Sequence, residues 1–163
     1  MPTHYAGQGL AKKTTPVMAS VPKTSQHDPA GYRADVKLAK AVNLAIFLGQ
    51  PLLLTGQPGT GKTQLAHSVS WELGLGPRAL TFETKSTSMA RDLFYTYDSL
   101  RRFHAAQSKQ ETVREVDYIT YTALGKALIN ACPYDQVQNV LRSPKDYFGP
   151  RRSVVLIDEI NRA

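Results

Sequence analysis

The sequence has little of what marks secreted or membrane proteins. It contains a single cysteine, Cys132, so no disulfide can form within the chain and nothing points to an oxidising compartment. The N-terminus, Met1 to Tyr5, leads into no apolar stretch of signal-peptide length. No apolar run approaches the roughly 18 residues that a membrane-spanning helix needs. We therefore expect a cytoplasmic protein without a membrane span.

The sequence also lacks a concentrated basic stripe, although its net charge is +7, from 20 Lys and Arg against 13 Asp and Glu. Clustered positive charge attracts nucleic-acid phosphates. Here the charge is spread over short pairs such as Lys12-Lys13, Arg101-Arg102 and Arg151-Arg152, without the interleaved aromatic residues that stack on single strands. A solvated surface explains this pattern better, so we expect no nucleic-acid partner.

The clearest motif that is present is the stretch Gly56-Gln57-Pro58-Gly59-Thr60-Gly61-Lys62-Thr63, which fits G-x-x-x-x-G-K-[ST]. The apolar run from Leu52 to Thr55 precedes it and is expected to form a strand, and a helix-like stretch from Gln64 to Leu73 follows it. Strand, loop and helix in this order are the context of a phosphate-binding P-loop. A plain glycine-rich turn would not require a lysine and a hydroxyl at these offsets.

The residue types in this loop suit a metal-bound nucleoside triphosphate. Glycines let the main chain bend sharply and expose consecutive N–H groups, which form a phosphate pocket together with the positive end of the following helix. Lys62 can reach the β- and γ-phosphates, and the Thr63 hydroxyl can ligate Mg²⁺. The residues expected to bind the nucleotide are Gly56, Gln57, Pro58, Gly59, Thr60, Gly61, Lys62, Thr63 and Gln64.

A second motif lies near the other end of the sequence. The β-branched apolar run from Ser153 to Ile157 is typical of a strand buried on both faces, and Asp158 and Glu159 follow it directly. Alone, such a run fits an ordinary strand end equally well. Beside a P-loop, Asp158 can hold a Mg²⁺-bound water, and Glu159 can orient and deprotonate the attacking water. The two motifs together predict catalysis by Glu159 and Lys62.

These residues resemble a known family. The run from Leu52 to Ala66 and the ending from Leu156 to Ala163 are similar to the Walker A and Walker B regions of the MoxR-type branch of AAA+ ATPases. The ending Asp-Glu-Ile-Asn-Arg-Ala is the most branch-specific part. The resemblance implies a three-layer αβα P-loop fold with a parallel sheet, ATP as ligand and Mg²⁺ as cofactor. It also implies a homo-oligomeric ring, usually a hexamer, that remodels a protein client.

The resemblance extends from about Tyr32 to Ala163 and gives the expected domain organisation. Tyr32 occupies the region where AAA+ proteins hold the adenine base, and its ring would stack there or simply pack as a surface tyrosine. Residues 1–31 are polar, rich in Pro and Gly and without hydrophobic periodicity, so we expect a disordered leader. Residues 32–163 then form a partial AAA+ domain, because complete members continue beyond this acidic pair with further strands, a sensor, an arginine finger and a helical lid.

Local patterns predict the remaining elements. A strand is expected at Leu80–Glu83 because apolar and polar residues alternate there. Capping acids open three expected helices, Asp35–Leu48, Asp98–Gln107 and Asp117–Ala131. The proline-broken segment Cys132–Arg152 matches no family pattern and is expected to be a loop with one short helix near residues 136–141.

Two other functions remain open. A different class of P-loop protein, a small-molecule kinase or a nucleic-acid-linked NTPase, would also carry these motifs, and a phosphate-acceptor pocket or DNA-stimulated turnover would favour it. A non-enzymatic module would bind ATP or a partner subunit without turnover. Measuring nucleotide binding and phosphate release on the same protein separates these functions.

Overall fold

The computed structural model describes residues 4–9, 28–107 and 114–162. These residues fall into two compact units that divide between Ala79 and Leu80. No helix in the described ranges combines the length and the apolar character needed to span a bilayer.

The first unit contains two helices, α1 (Val36–Leu48) and α2 (Lys62–Glu72), with a short 3₁₀ helix at Pro29–Gly31 ahead of them. Helix α1 begins where the Asp35 carboxylate accepts the N–H groups of Lys37 and Leu38, and it ends at Gly49 in the left-handed conformation. Each cap involves only residues within one turn of its end of the helix, so both ends can be predicted from neighbouring residues. The helix predicted from Asp35 to Leu48 is confirmed. The apolar residues buried in this unit include Tyr5, Ala39, Val42, Leu65, Val69 and Leu73.

The run from Leu52 to Thr55 does not form the predicted strand. The structure gives it no regular secondary structure, and Leu53 is 72% exposed. A strand is stable only when its main-chain groups pair with a neighbour, and no strand of the described residues hydrogen-bonds to this run. Apolar character alone was therefore not enough to identify a strand here.

The segment predicted to be a disordered leader, residues 1–31, is partly ordered. Residues 4–9 and 28–31 have defined contacts, and the Tyr5 side chain is 0% exposed. Composition predicted disorder because apolar periodicity is missing, but main-chain hydrogen bonds to distant side chains order residues 4–9 without it. Residues 1–3 and 10–27, which belong to the same prediction, lie outside the described ranges.

The second unit contains a parallel strand pair, β1 (Leu80–Glu83) and a later strand at Val155–Asp158. Glu83 lies opposite Asp158 at the carboxyl end of the pair. A helix at Ala123–Ala131 packs on both strands. The predicted strand at residues 80–83 and the parallel pairing are confirmed, whereas the later strand is half-buried along its length instead of fully buried.

The same unit holds an antiparallel pair, β2 (Tyr95–Tyr97) and β3 (Ile119–Tyr121), joined through helix α3 (Ser99–Gln107) and residues outside the described ranges. Helix α3 matches its predicted position. The helix predicted from Asp117 is wrong at its start, because residues 119–121 pair with β2 and the helix, α4 (Ala123–Ala131), begins only after them. β-Branched and aromatic residues facing similar residues across the pair favour a strand over a helical turn.

The segment from Cys132 to Arg152 contains one short α-helix, α5 (Tyr134–Val137), which begins two residues before the predicted position, and a 3₁₀ turn at residues 138–140 follows it. The Tyr147 hydroxyl donates to the Cys132 carbonyl oxygen at 2.7 Å, and the side chains of Val137 and Leu141 are buried. This segment leads into the strand Val155–Asp158, which is β4.

Candidate functional site

The glycine-rich loop adopts a conformation that requires its glycines. Gly59 and Gly61 have φ values of 78° and 81°, in the left-handed region that residues with a Cβ enter only at a cost. Gly61 is the N-cap of α2 and has no side chain that could accept the first N–H groups of the helix. A phosphate oxygen at a helix N-terminus satisfies such donors, and the helix dipole favours its charge.

Lys62 lies over the loop. Its Nζ donates to the carbonyl oxygens of Gly56 at 3.1 Å and Gln57 at 2.7 Å, and the Thr60 hydroxyl donates to the same Gln57 oxygen at 2.9 Å. Nζ also donates to Oγ1 of Thr60 at 3.4 Å, so three neutral acceptors hold the ammonium group at the loop. Phosphate oxygens, being charged acceptors, form stronger hydrogen bonds with an ammonium group than carbonyl oxygens do.

The structure brings Tyr32 to the same loop, although 29 positions separate it from Gly61 in the sequence. A Cβ placed on Gly61 would lie 3.1 Å from Cε2 of the Tyr32 ring, so the ring rests directly against the glycine. Burial, and then the nearby charge of Asp35, raise the pKa of the Tyr32 hydroxyl above its usual range. The phenol is therefore neutral at physiological pH.

Asp158 and Glu159 lie in the second unit, at the end of β4. The Asp158 carboxylate accepts the N–H of Glu159 at 3.1 Å, and Glu159 has φ 55°, a left-handed value that costs a non-glycine residue roughly 1–2 kcal/mol. Oε2 of Glu159 is 2.8 Å from Nη1 of Arg162. Strained residues of this kind concentrate at functional sites. Sequence reasoning did not single out Arg162, although its spacing of three residues from Glu159 was the available signal.

Each unit offers an oxygen atom of the kind that Mg²⁺ binds. Mg²⁺ prefers oxygen ligands and is usually held by one or two protein groups together with substrate phosphates. Thr63, in the first turn of α2, offers a hydroxyl in the first unit, and Asp158 offers a carboxylate in the second. The described ranges contain no group of three or more His, Cys, Asp or Glu side chains that could hold a metal ion unaided.

Comparison with known proteins defines the class. Residues 52–163 match the model of the ATPase family associated with various cellular activities (AAA). The chain belongs to this family of ATPases. Its domain is accordingly a P-loop NTPase, which confirms the predicted α/β fold class, and the parallel β1–β4 pair is consistent with a partial αβα core.

Individual relatives are distant. RuvB-like protein 1 of Arabidopsis thaliana is 30% identical over 114 residues, which cover 61% of this chain and 23% of the relative. The ATP-dependent zinc metalloprotease FtsH 3 of Sphaerobacter thermophilus is 30% identical over 177 residues, covering 96% of this chain and 34% of the relative. The chain thus spans about a quarter to a third of the length of these relatives. No solved structure matches the chain.

Proposed function

We propose that this chain binds ATP with Mg²⁺ at the loop from Gly56 to Gln64 and belongs to an ATPase of MoxR type. The observation that carries the proposal is the convergence of Lys62, the left-handed glycines and the Tyr32 ring at the start of α2. Together these groups suit the two ends of one ligand. The loop amides and Lys62 suit the phosphates, and the aromatic ring suits the base.

Binding exchanges the contacts of Lys62. Its Nζ leaves the carbonyl oxygens of Gly56 and Gln57 and donates to the β- and γ-phosphate oxygens. The first-turn amides of α2 take the phosphate oxygens nearest the loop, and Tyr32 stacks on adenine. The Thr63 hydroxyl would ligate Mg²⁺ and Asp158 would hold a Mg²⁺-bound water, and the ion would neutralise charge on the phosphates.

Hydrolysis in the complete assembly uses Glu159 as the base. Its carboxylate releases Arg162, orients a water molecule and accepts a proton as the water oxygen bonds to the γ-phosphorus. The bond from that phosphorus to the bridging oxygen breaks, so ADP and inorganic phosphate form. Lys62 stabilises the charge that develops on the transferred group.

The branch of the family, the ring assembly and the protein client are proposed from resemblance. The ending from Asp158 to Ala163 supports the MoxR branch, and with it a homo-oligomeric ring, usually hexameric, that remodels a protein client. We also propose that residues 32–163 act as one part of this ATPase domain and that the protein works in the cytoplasm.

One observation favours a second candidate, a nucleic-acid-linked NTPase. RuvB-like helicase 1 of Mycosarcoma maydis is 29% identical over 131 residues, which cover 74% of this chain and 25% of the relative. ATP turnover that rises on addition of DNA would favour this candidate over the protein-remodelling one.

The direct test is calorimetric titration of the chain with ATP and Mg²⁺. Lys62→Ala removes the charge at the loop and should weaken ATP binding at least about tenfold while leaving the circular dichroism spectrum unchanged. Lys40→Ala, which removes an exposed lysine of α1 in the same unit, is the matched control and should bind ATP as wild type does. Equal affinities in wild type and Lys62→Ala would refute the site. Phosphate release measured alongside separates binding from turnover.

A further inference from the structure

The last turn of α2 carries a buried carboxylate that binds main chain. Glu72 is 4% exposed. Its Oε1 accepts the N–H groups of Ala6 and Gly7, the latter at 3.1 Å, and its Oε2 accepts those of Gln8 and Gly9 at 3.1 Å each. Burying a carboxylate is costly unless its oxygens are hydrogen-bonded, and four main-chain donors meet that need. The chain here is therefore wrapped around Glu72.

Two glycines make this wrapping possible. Gly7 and Gly9 have φ values of 73° and 67°, which turn consecutive N–H groups toward one side as in anion-binding nests. Both also touch the main chain around Tyr32. A Cβ on Gly7 would lie 2.8 Å from Cβ of Ala34, and one on Gly9 would lie 1.9 Å from the Ala30 carbonyl oxygen. The Ala34 N–H also donates to the Gly7 carbonyl oxygen at 3.1 Å, so residues 7 and 9 contact the chain on both sides of Tyr32.

Tyr5 anchors the same segment to both helices of the unit. Its hydroxyl donates to Oγ of Ser68 in α2 at 3.2 Å. The Asn43 side chain in α1 accepts the Tyr5 N–H and donates to the Tyr5 carbonyl oxygen, each at 2.8 Å. We call residues 5–9 the N-terminal clasp.

We propose that Glu72 is a positioning residue for nucleotide binding, which acts by holding the N-terminal clasp against residues 30–34 and so keeps the Tyr32 ring on Gly61. The inference rests on the proposed function, in which Tyr32 stacks on the base. The clasp touches the chain on both sides of Tyr32, whereas the phosphate-binding loop has its own internal hydrogen bonds through Lys62 and Thr60. Losing the clasp therefore weakens binding at the base end of the nucleotide and spares the phosphate end.

The experiment compares two ligands, ATP and inorganic tripolyphosphate, each with Mg²⁺, by calorimetry on the full chain. Stacking of one base on one aromatic ring sets the scale, so Tyr32→Ala should weaken ATP binding roughly tenfold and leave tripolyphosphate unchanged. Glu72→Gln replaces one acceptor oxygen with an amide NH₂ group, which cannot accept hydrogen bonds from the main-chain N–H groups. It should therefore also weaken the binding of ATP and leave that of tripolyphosphate unchanged. In the Tyr32→Ala background, Glu72→Gln should cause no further loss, because both changes act through one ring.

Two further variants complete the test. Gly9→Ala disturbs the contact with Ala30 without changing the buried carboxylate and should also weaken ATP selectively. Glu115→Gln makes the same chemical change as Glu72→Gln at an exposed glutamate and should bind both ligands as wild type does.

Three outcomes would overturn the positioning role. In the first, Glu72→Gln weakens the binding of ATP and of tripolyphosphate equally. In the second, Glu72→Gln weakens ATP binding as much in the Tyr32→Ala background as in the wild type. In the third, both Glu72→Gln and Gly9→Ala fail to fold, which would assign the clasp to the fold alone. Failure of the wild type to bind either ligand would instead refute the proposed nucleotide site, and with it this inference.

Discussion

Replacing Gly61 with alanine should destabilise the protein and weaken ATP binding, for two separable reasons. The φ of 81° costs a residue with a Cβ roughly 1–2 kcal/mol. The added Cβ also lies 3.1 Å from Cε2 of Tyr32, closer than the usual ~3.5–4.0 Å between carbon atoms, so the ring must shift. Together we expect a loss of about 2–3 kcal/mol in the free energy of unfolding.

Urea unfolding followed by circular dichroism measures this loss. Gly31→Ala is the matched control, because a Cβ on Gly31 meets no atom within 4 Å. That variant should stay within about 0.5 kcal/mol of wild type. In a Tyr32→Ala background, Gly61→Ala no longer meets the ring but still carries the cost of the left-handed φ. The loss in the free energy of unfolding should therefore be smaller there but not zero.

The same variants report on the site. Gly61→Ala should weaken ATP binding, since it moves both the N-cap of α2 and the ring of Tyr32. If Gly61→Ala unfolded at the same urea concentration as Gly31→Ala, the left-handed conformation at Gly61 and its contact with Tyr32 would both be wrong.

Two further predictions concern the acidic pair and alkaline pH. In the complete assembly, Glu159→Gln should bind ATP but release phosphate at least about a hundredfold more slowly, because the amide cannot take a proton, and Asp158→Asn should instead reduce the dependence on Mg²⁺. A wild-type rate of phosphate release in Glu159→Gln would refute the role of Glu159. Burial, chiefly, raises the pKa of the Tyr5 hydroxyl above its ordinary value of about 10. The folded state therefore holds that proton more tightly than the unfolded state. The resulting contribution of Tyr5 to the free energy of unfolding is complete below about pH 10, and it is lost as the pH rises through the raised pKa. Urea unfolding at several pH values in this range measures the effect, and Tyr5→Phe should lose less stability than wild type as the pH rises. Equal losses in the two proteins would contradict the burial of Tyr5.

The sequence predicted best where neighbouring residues decide the structure. Asp35 and Gly49 bound α1, and Asp98 caps α3 by accepting the N–H of Arg101 at 2.8 Å. The glycines of the P-loop are similarly readable, because only glycine enters the left-handed region at little cost. The nucleotide contacts of Lys62, Thr63, Asp158 and Glu159 stay predictions.

Strands were less predictable, because a strand depends on a partner elsewhere in the chain. Ile119–Tyr121 looked like the start of a helix until it met Tyr95–Tyr97, and Leu52–Thr55 looked like a strand but pairs with no strand of the described residues. Apolar pattern alone cannot distinguish these cases, since the pairing energy comes from residues far away in sequence.

By itself the sequence determined the glycine-rich loop, the acidic pair at the end of β4 and the helices with local caps, since each depends on residues close together in the sequence. Only the tertiary structure decided that Tyr32 rests on Gly61, that Arg142 of the loop segment donates to Ile119 and that Glu72 gathers the main chain of residues 6–9. Those contacts join groups separated by 23 to 66 positions, as in the Arg142–Ile119 and Glu72–Ala6 pairs. A composition that predicts disorder cannot reveal the contact of Glu72 with residues 6–9, because its hydrogen bonds come from main-chain N–H groups, which every residue but proline carries.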